Sequence, residues 1–255
     1  MVFLPVPPSP IAFDFGFWQL RWYSIFVTSA IAIALTLGLK LVQKKNLNSD
    51  FLLDCMLWVI PMGIIGARAY YVLFHWDYYG QHLDQIIQIW SGGIAIHGAI
   101  FLGVFTAWVY AKVKKENLLP YMDIAMPCLA LAQAIGRWGN YFNQEAYGAE
   151  TSLPWGMIIN GVSYHPAFLY ESIWDILLFF LLYHILQKNE YPTGFVTALY
   201  ACGYSLGRLW IEELRLDSEW IGPLKAASVW SVLGIVVSTF FIYRAISMKR
   251  KESIG

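Results

Sequence analysis

The chain has 255 residues, 58% of them hydrophobic and 13% charged, with no net charge and a mean hydropathy of +0.51. Ordinary soluble domains carry roughly 25% charged residues, so this composition argues against a soluble core and names the bilayer as solvent. A net charge of zero offers no footprint for a nucleic-acid partner, and local charge placement carries the information instead.

The first ten residues, MVFLPVPPSP, are proline-rich and lack a basic n-region, unlike a cleaved signal peptide. No internal repeat, low-complexity tract or linker divides the chain, which predicts one membrane domain over residues 1–255. A helix needs about 20 mostly apolar residues to span the hydrocarbon. Seven windows qualify: 22–41, 51–75, 93–112, 121–139, 167–186, 194–214 and 226–247. Backbone groups in lipid must be satisfied within the segment, so these windows predict helices and an all-α, polytopic integral membrane protein with seven transmembrane helices. Cys55, Cys128 and Cys202 are odd in number and lie in apolar runs, which fits small core hydrophobes and not a disulfide framework or a zinc site.

Lysines and arginines alternate along the connections. Lys40, Lys44 and Lys45 follow the first window, Lys112, Lys114 and Lys115 the third, Lys188 the fifth, and Arg244, Lys249, Arg250 and Lys251 lie in the tail. The second connection, WDYYGQHLDQIIQIW, and residues 141–166 have none. The bias predicts an N-terminus outside, a C-terminus in the cytoplasm, and extracytoplasmic loops at 77–91, 141–166 and 215–225. Trp18, Trp22, Trp76, Tyr78, Tyr79 and Trp90 read as an interfacial aromatic belt.

With direction set, depth follows from position. Tyr23 lies at the outer end of the first span, Arg68 in the outer half of the second, and His97 near the start of the third. Arg137 and Asn140 close the fourth span, Glu171 opens the fifth, and GRLWIEELR brings Arg208, Glu212 and Arg215 to the same level. A charge at membrane depth costs at least a few kcal/mol and should face the bundle interior, so a layer of them reads as a site. Arginine's planar fork suits phosphate, and the obvious anion at that depth is a phospholipid headgroup from the outer leaflet. Gly136, Gly139 and Gly148 permit close backbone approach or a tight turn.

Plainer roles compete. Arg208 and Glu212, at i and i+4, form an intrahelical pair; Arg68 pairs with a carboxylate or snorkels; His97 bridges helices; Asp54 and Asp123 cap helix ends. Asp175 has no assigned role. The five histidines show no ligand-like spacing, and neither a nucleotide loop nor a nucleophile elbow is present, so no metal and no cofactor is expected.

GRWGNYFNQEAYG (136–148) resembles the signature G-R-x-G-N-F-x-N-x-E-x-x-G of the prolipoprotein diacylglyceryl transferase family. LRWYS (20–24), WSGGIAIHGAI (90–100), HPAFLYE (165–171) and GRLWIEELR (207–215) are similar to further motifs of that family, in order and over essentially the whole chain. Ala99 replaces a glycine of the histidine motif, Ser91 stands where some members carry aspartate, and Tyr141 replaces a phenylalanine.

The resemblance implies transfer of the diacylglyceryl group of phosphatidylglycerol to the thiol of a lipobox cysteine in a prolipoprotein signal peptide. A thioether would form and glycerol 1-phosphate would leave, at the outer face of a bacterial plasma membrane. Arg137 and Arg215 would then meet the phosphate and leaving group, Asn140 would orient them, and Tyr23 would hydrogen-bond the lipid head. His97 would serve as base or as headgroup ligand, Gly148 would shape its loop, and Glu171, Glu212, Arg208 and Arg68 would support the site. A transporter or flippase for an anionic phospholipid is the principal rival, and a seven-helix receptor a weaker one.

Overall fold

The computed structural model describes Leu4, residues 9–216, Ser218 and residues 220–252. Most of the N-terminal stretch weighed as a signal peptide therefore lies outside the described residues, as do the side chains of Ser91, Arg250 and Lys251.

The fold is helical, with three two-stranded hairpins attached. The first hairpin pairs β1 (Ile11–Asp14) with β2 (Gln19–Arg21) and leads directly into α1 (Trp22–Lys44). Then come α2 (Ser49–Phe74), a single turn α3 (Trp76–Tyr79), α4 (Ile96–Lys114) and α5 (Leu118–Asn143). The second hairpin, β3 (Met157–Ile159) with β4 (Val162–Tyr164), precedes α6 (Ala167–Lys188) and α7 (Phe195–Leu214). The third, β5 (Trp220–Ile221) with β6 (Leu224–Lys225), precedes α8 (Ala226–Glu252).

Among the described residues, six helices are long and apolar enough to cross a membrane: α1, α2, α4, α5, α6 and α8. Helix α7 has the length, 20 residues, but is not among the six; it carries Arg208, Glu212 and Glu213. The expected third helix also starts late, at Ile96 instead of residue 93. Gly92 and Gly93 have φ of 89° and 73°, a left-handed backbone that cannot continue a right-handed helix. Side chains along the apolar helices, such as Leu57, Phe180 and Val236, are exposed, as lipid-facing residues are in a protein whose solvent is hydrocarbon.

Two compact units are distinguished along the chain. One comprises residues 1–40 and 122–255, the other residues 41–121. In the first, α7 packs against both α6 and α8. Tyr141, Met157, Ile159 and Phe168 form a buried core where α5 ends, the second hairpin folds over and α6 begins. Trp138 packs edge-on to Phe168 and Tyr141, closing this aromatic cluster. Asp123, buried in α5, accepts from the backbone of Gly194 and Thr197 and from the Thr197 hydroxyl, so it caps the start of α7 from a neighbouring helix.

In the second unit α2 packs along α4. Asn48 caps α2 by accepting from Asp50 and Phe51. Asp54 does not cap: one turn into α2, it accepts from the Tyr110 hydroxyl of α4 at 3.0 Å. Cys55 and Cys128 are buried, and all three cysteines are free.

Candidate functional site

Three helix ends meet in the first unit on one carboxylate. Glu171, in the first turns of α6, is 5% exposed. Its Oε2 lies 2.5 Å from Arg137 Nε of α5, while its Oε1 accepts from Arg208 at 2.7 Å and from Arg215 at 3.1 Å. Arg208 also reaches Glu212 Oε2 at 2.6 Å, the intrahelical pair expected from their spacing. The contacts to Glu171 Oε2 and Glu212 Oε2 are ion pairs off the N–H direction, so they hold by charge more than by aligned hydrogen bonds.

Three guanidiniums converging on one point repel one another, and buried charge is tolerable only when compensated. The carboxylates of Glu171 and Glu212 supply that compensation. Arg137 meets Glu171 through Nε, at one edge of a planar guanidinium whose shape suits carboxylate and phosphate alike.

Arg215 is the residue after α7, with extended backbone (φ −77°, ψ 142°). Gly148 forms a β-bridge with it, the Ala149 amide donates to Leu214 O at 2.7 Å, and the Gly148 amide donates to His165 O at 2.8 Å. A Cβ on Gly148 would lie 2.7 Å from Leu214 O and 2.9 Å from His165 Cβ. Glycine is required there because backbone occupies the space a side chain would need.

The Asn140 amide is engaged by the turn that follows α5. It donates to Glu145 Oε1 at 2.8 Å, and Asn143 donates to the same oxygen at 3.2 Å. Glu145 lies between Gln144 and Ala146, which hold φ of 54° and 55°, conformations that cost energy outside glycine. The Asn–Glu contacts tie down this tight turn, and Asn140 acts in it as the donor. Tyr23, at the start of α1, lies against α5: a Cβ on Gly139 would be 2.8 Å from its ring. Trp22 and Phe26 stack on Phe142 and fix the same contact.

The second unit holds the other two candidates. Arg68, 6% exposed, neither pairs with a carboxylate nor snorkels. It donates to the carbonyls of Gln85, Ile86, Gly92 and Gly93 at 2.6–2.8 Å and lies over the Tyr79 ring. One guanidinium thus organises the connection between α2 and α4 by satisfying carbonyls that have no ladder of their own. His97 stands in the first turn of α4, with its ring 6.0 Å from that of Tyr70. Gly66 and Gly98 face each other behind it, where a Cβ on either would strike the other's carbonyl.

Sequence reasoning places Glu145 in the family signature without giving it a partner, and it misses Lys225. Lys225 of β6 donates to Glu212 O at 2.6 Å, a cation on the carbonyl end of α7. The partner of Lys225 lies 13 positions away, so no local pattern announces that contact. Among the described residues, no group of three or more His, Cys, Asp or Glu is arranged to hold a metal ion.

A profile of the prolipoprotein diacylglyceryl transferase family matches residues 10–244. The chain belongs to this family. A Clostridium perfringens protein named phosphatidylglycerol–prolipoprotein diacylglyceryl transferase 1 is 45% identical to it, over 97% of this chain and 98% of the relative. Relatives of the same activity from Thermosynechococcus vestitus and Finegoldia magna are 41% and 42% identical, covering 91% and 89% of this chain and 90% and 91% of theirs. The protein is a transferase of the membrane, built around multiple spanning helices.

Gly148→Ala should cost about 1–3 kcal/mol of stability, the range for an over-packed methyl group. Because Arg215 is fixed through that same bridge, transfer should fall by about tenfold or more. Thermal unfolding of the purified variant, alongside its turnover, checks both effects.

Proposed function

We propose that the arginine–carboxylate cluster binds the phosphate of phosphatidylglycerol and stabilises it as a leaving group while a prolipoprotein thiol takes the diacylglyceryl group. The observation that carries this reading is the meeting of Arg137, Arg208 and Arg215 on Glu171, three guanidiniums on one carboxylate. The family's reaction and the names of its members supply the substrates: phosphatidylglycerol as donor and prolipoprotein as acceptor.

The chemistry sets two requirements. The acceptor cysteine reacts as thiolate and must lose its proton. The C–O bond between the diacylglyceryl carbon and the phosphate must break, with its electron pair left on the phosphate oxygen; a preorganised positive site lowers that barrier. Arg137 and Arg215 are assigned to the phosphate, and Glu171 and Glu212 keep the guanidiniums aimed without touching substrate. Asn140 follows Arg137 on α5, and Tyr23 of α1 lies against the same stretch at Gly139, which suits contacts to the headgroup. His97 is assigned the thiol proton, since imidazole exchanges protons near neutrality. The proton passes on to the departing glycerol 1-phosphate or to water, which leaves the enzyme unchanged.

In this reading the chain is one seven-helix membrane domain with its N-terminus outside and its C-terminus in the cytoplasm. Residues 77–91, 141–166 and 215–225 are extracytoplasmic, and α7 is the seventh span. Its hydropathy is low because one face carries the site. The lysine and arginine bias of the connections supports this orientation, and the bacterial relatives support a plasma-membrane location with the site near the outer face.

Arg137→Ala and Arg215→Ala should each lower transfer by about a hundred- to a thousandfold, the scale for loss of an oxyanion donor, with insertion and folding retained. The assay combines purified protein, phosphatidylglycerol and a lipobox peptide with one cysteine, and reads the mass gain of one diacylglyceryl group. Full activity in either variant defeats the assignment; lipid movement without peptide modification would instead mark a transporter. His97→Gln should slow turnover and remove the limb of the pH–rate profile that reports a base. Normal turnover with an unchanged profile would take the base role away from His97.

A further inference from the structure

One turn inward from Glu171 on the same face of α6 lies Asp175, 2% exposed. Its Oδ2 is buried and has no hydrogen-bond partner. An acceptor buried without a donor in a low-dielectric interior is costly, so its retention calls for a compensating use. Asp175 lines a small pocket of about 10 Å³ together with Glu171, Trp174, Tyr204, Gly207 and Arg208. That is room for about one water-sized atom. Trp174 is fixed as a wall by its bond to Gly203 O at 2.9 Å, and Gly207 is the residue that makes space for its indole.

We infer that this pocket is a subsite for a hydroxyl group of the lipid headgroup, with Asp175 Oδ2 as the acceptor. The inference rests on the phosphate reading of the arginine cluster and adds the feature that selects among phospholipids. Three observations point to a hydroxyl. The space fits a single oxygen. The wall offers an acceptor in need of a donor. The rim carries the guanidinium of Arg208, with those of Arg137 and Arg215 on the same Glu171, which repel a cationic headgroup such as an ammonium.

The reach also agrees. Residues 171 and 175 are separated by about 6 Å along the helix axis. In a glycerol headgroup the nearer hydroxyl is four bonds from phosphorus, a reach comparable to one helical turn. A site built to hydrogen-bond a substrate hydroxyl rejects an analogue that lacks it, because the buried acceptor is then stranded.

The test compares phosphatidylglycerol with phosphatidylpropanol of the same acyl chains, which keeps the phosphodiester and removes both headgroup hydroxyls. The full-length protein, Asp175→Leu and Asp175→Asn are each assayed with the lipobox peptide, and the ratio of kcat/KM for the two lipids is read. The unsubstituted protein should prefer phosphatidylglycerol by about 10- to 100-fold, the value of one hydrogen bond to a charged group. Asp175→Leu should bring the ratio close to one while still using phosphatidylpropanol, and Asp175→Asn, which retains a carbonyl acceptor, should keep part of the preference.

An unsubstituted protein that uses both lipids equally overturns the subsite. So does an unchanged preference in Asp175→Leu, or loss of both lipids in both variants, which would mark a structural role. Failure of the phosphate reading looks different: the unsubstituted protein would transfer from neither lipid, or Arg137→Ala would remain active.

Discussion

A single carboxylate holds the arrangement together. Glu171 contacts Arg137, Arg208 and Arg215, from α5, α7 and the residue beyond α7. Without it, three guanidiniums would face one another in a medium that screens charge poorly. With it, all three are held on one carboxylate. Glu212 shares the load by taking the second face of Arg208, and Lys225 binds the carbonyl end of the helix that carries both. The compensation comes from two glutamates buried almost completely.

The backbone around the cluster is shaped to the same end. Gly148 allows its loop to bond edge-to-edge with the chain at Arg215, so the guanidinium extends from a braced strand instead of a frayed helix end. The turn after α5 keeps two non-glycine residues left-handed, and Asn140 and Asn143 hold it closed through Glu145. In the other unit Arg68 does by backbone contacts what Glu171 does by charge. It gathers four carbonyls of an irregular connection, and the Ala95 amide donates to Ala67 O just before α4 begins. His97 therefore starts from a defined position.

How much of this is legible in the sequence depends on the range of each interaction. The helices are, because apolar runs of spanning length have few alternatives in lipid. The fourth window stops at residue 139, whereas α5 continues to Asn143, since apolarity ends before backbone hydrogen bonding does. The Arg208–Glu212 pair is readable from i, i+4 spacing, whereas the meeting of Arg137 with Glu171 across two helices is not. The composition of α7 cuts both ways. The residues that lower its hydropathy, Arg208 and Glu212, are those that take part in the cluster. Arg68 departs from expectation for a physical reason: a buried arginine is expected to seek a carboxylate or water, and unpaired carbonyls serve instead. Asp54 likewise finds a tyrosine hydroxyl on a neighbouring helix and does not cap its own. The family motifs point to Arg137, Asn140 and Gly148 as functional, and the structure supplies what motifs lack, namely which neighbour each one touches.

The most direct test of the central claim is an experimental structure of the protein loaded with phosphatidylglycerol. The account predicts the lipid phosphate within about 3 Å of both the Arg137 fork and Arg215, with Glu171 still bridging the guanidiniums from behind. A headgroup lodged elsewhere, or arginines that separate from Glu171 and share no ligand, would contradict it.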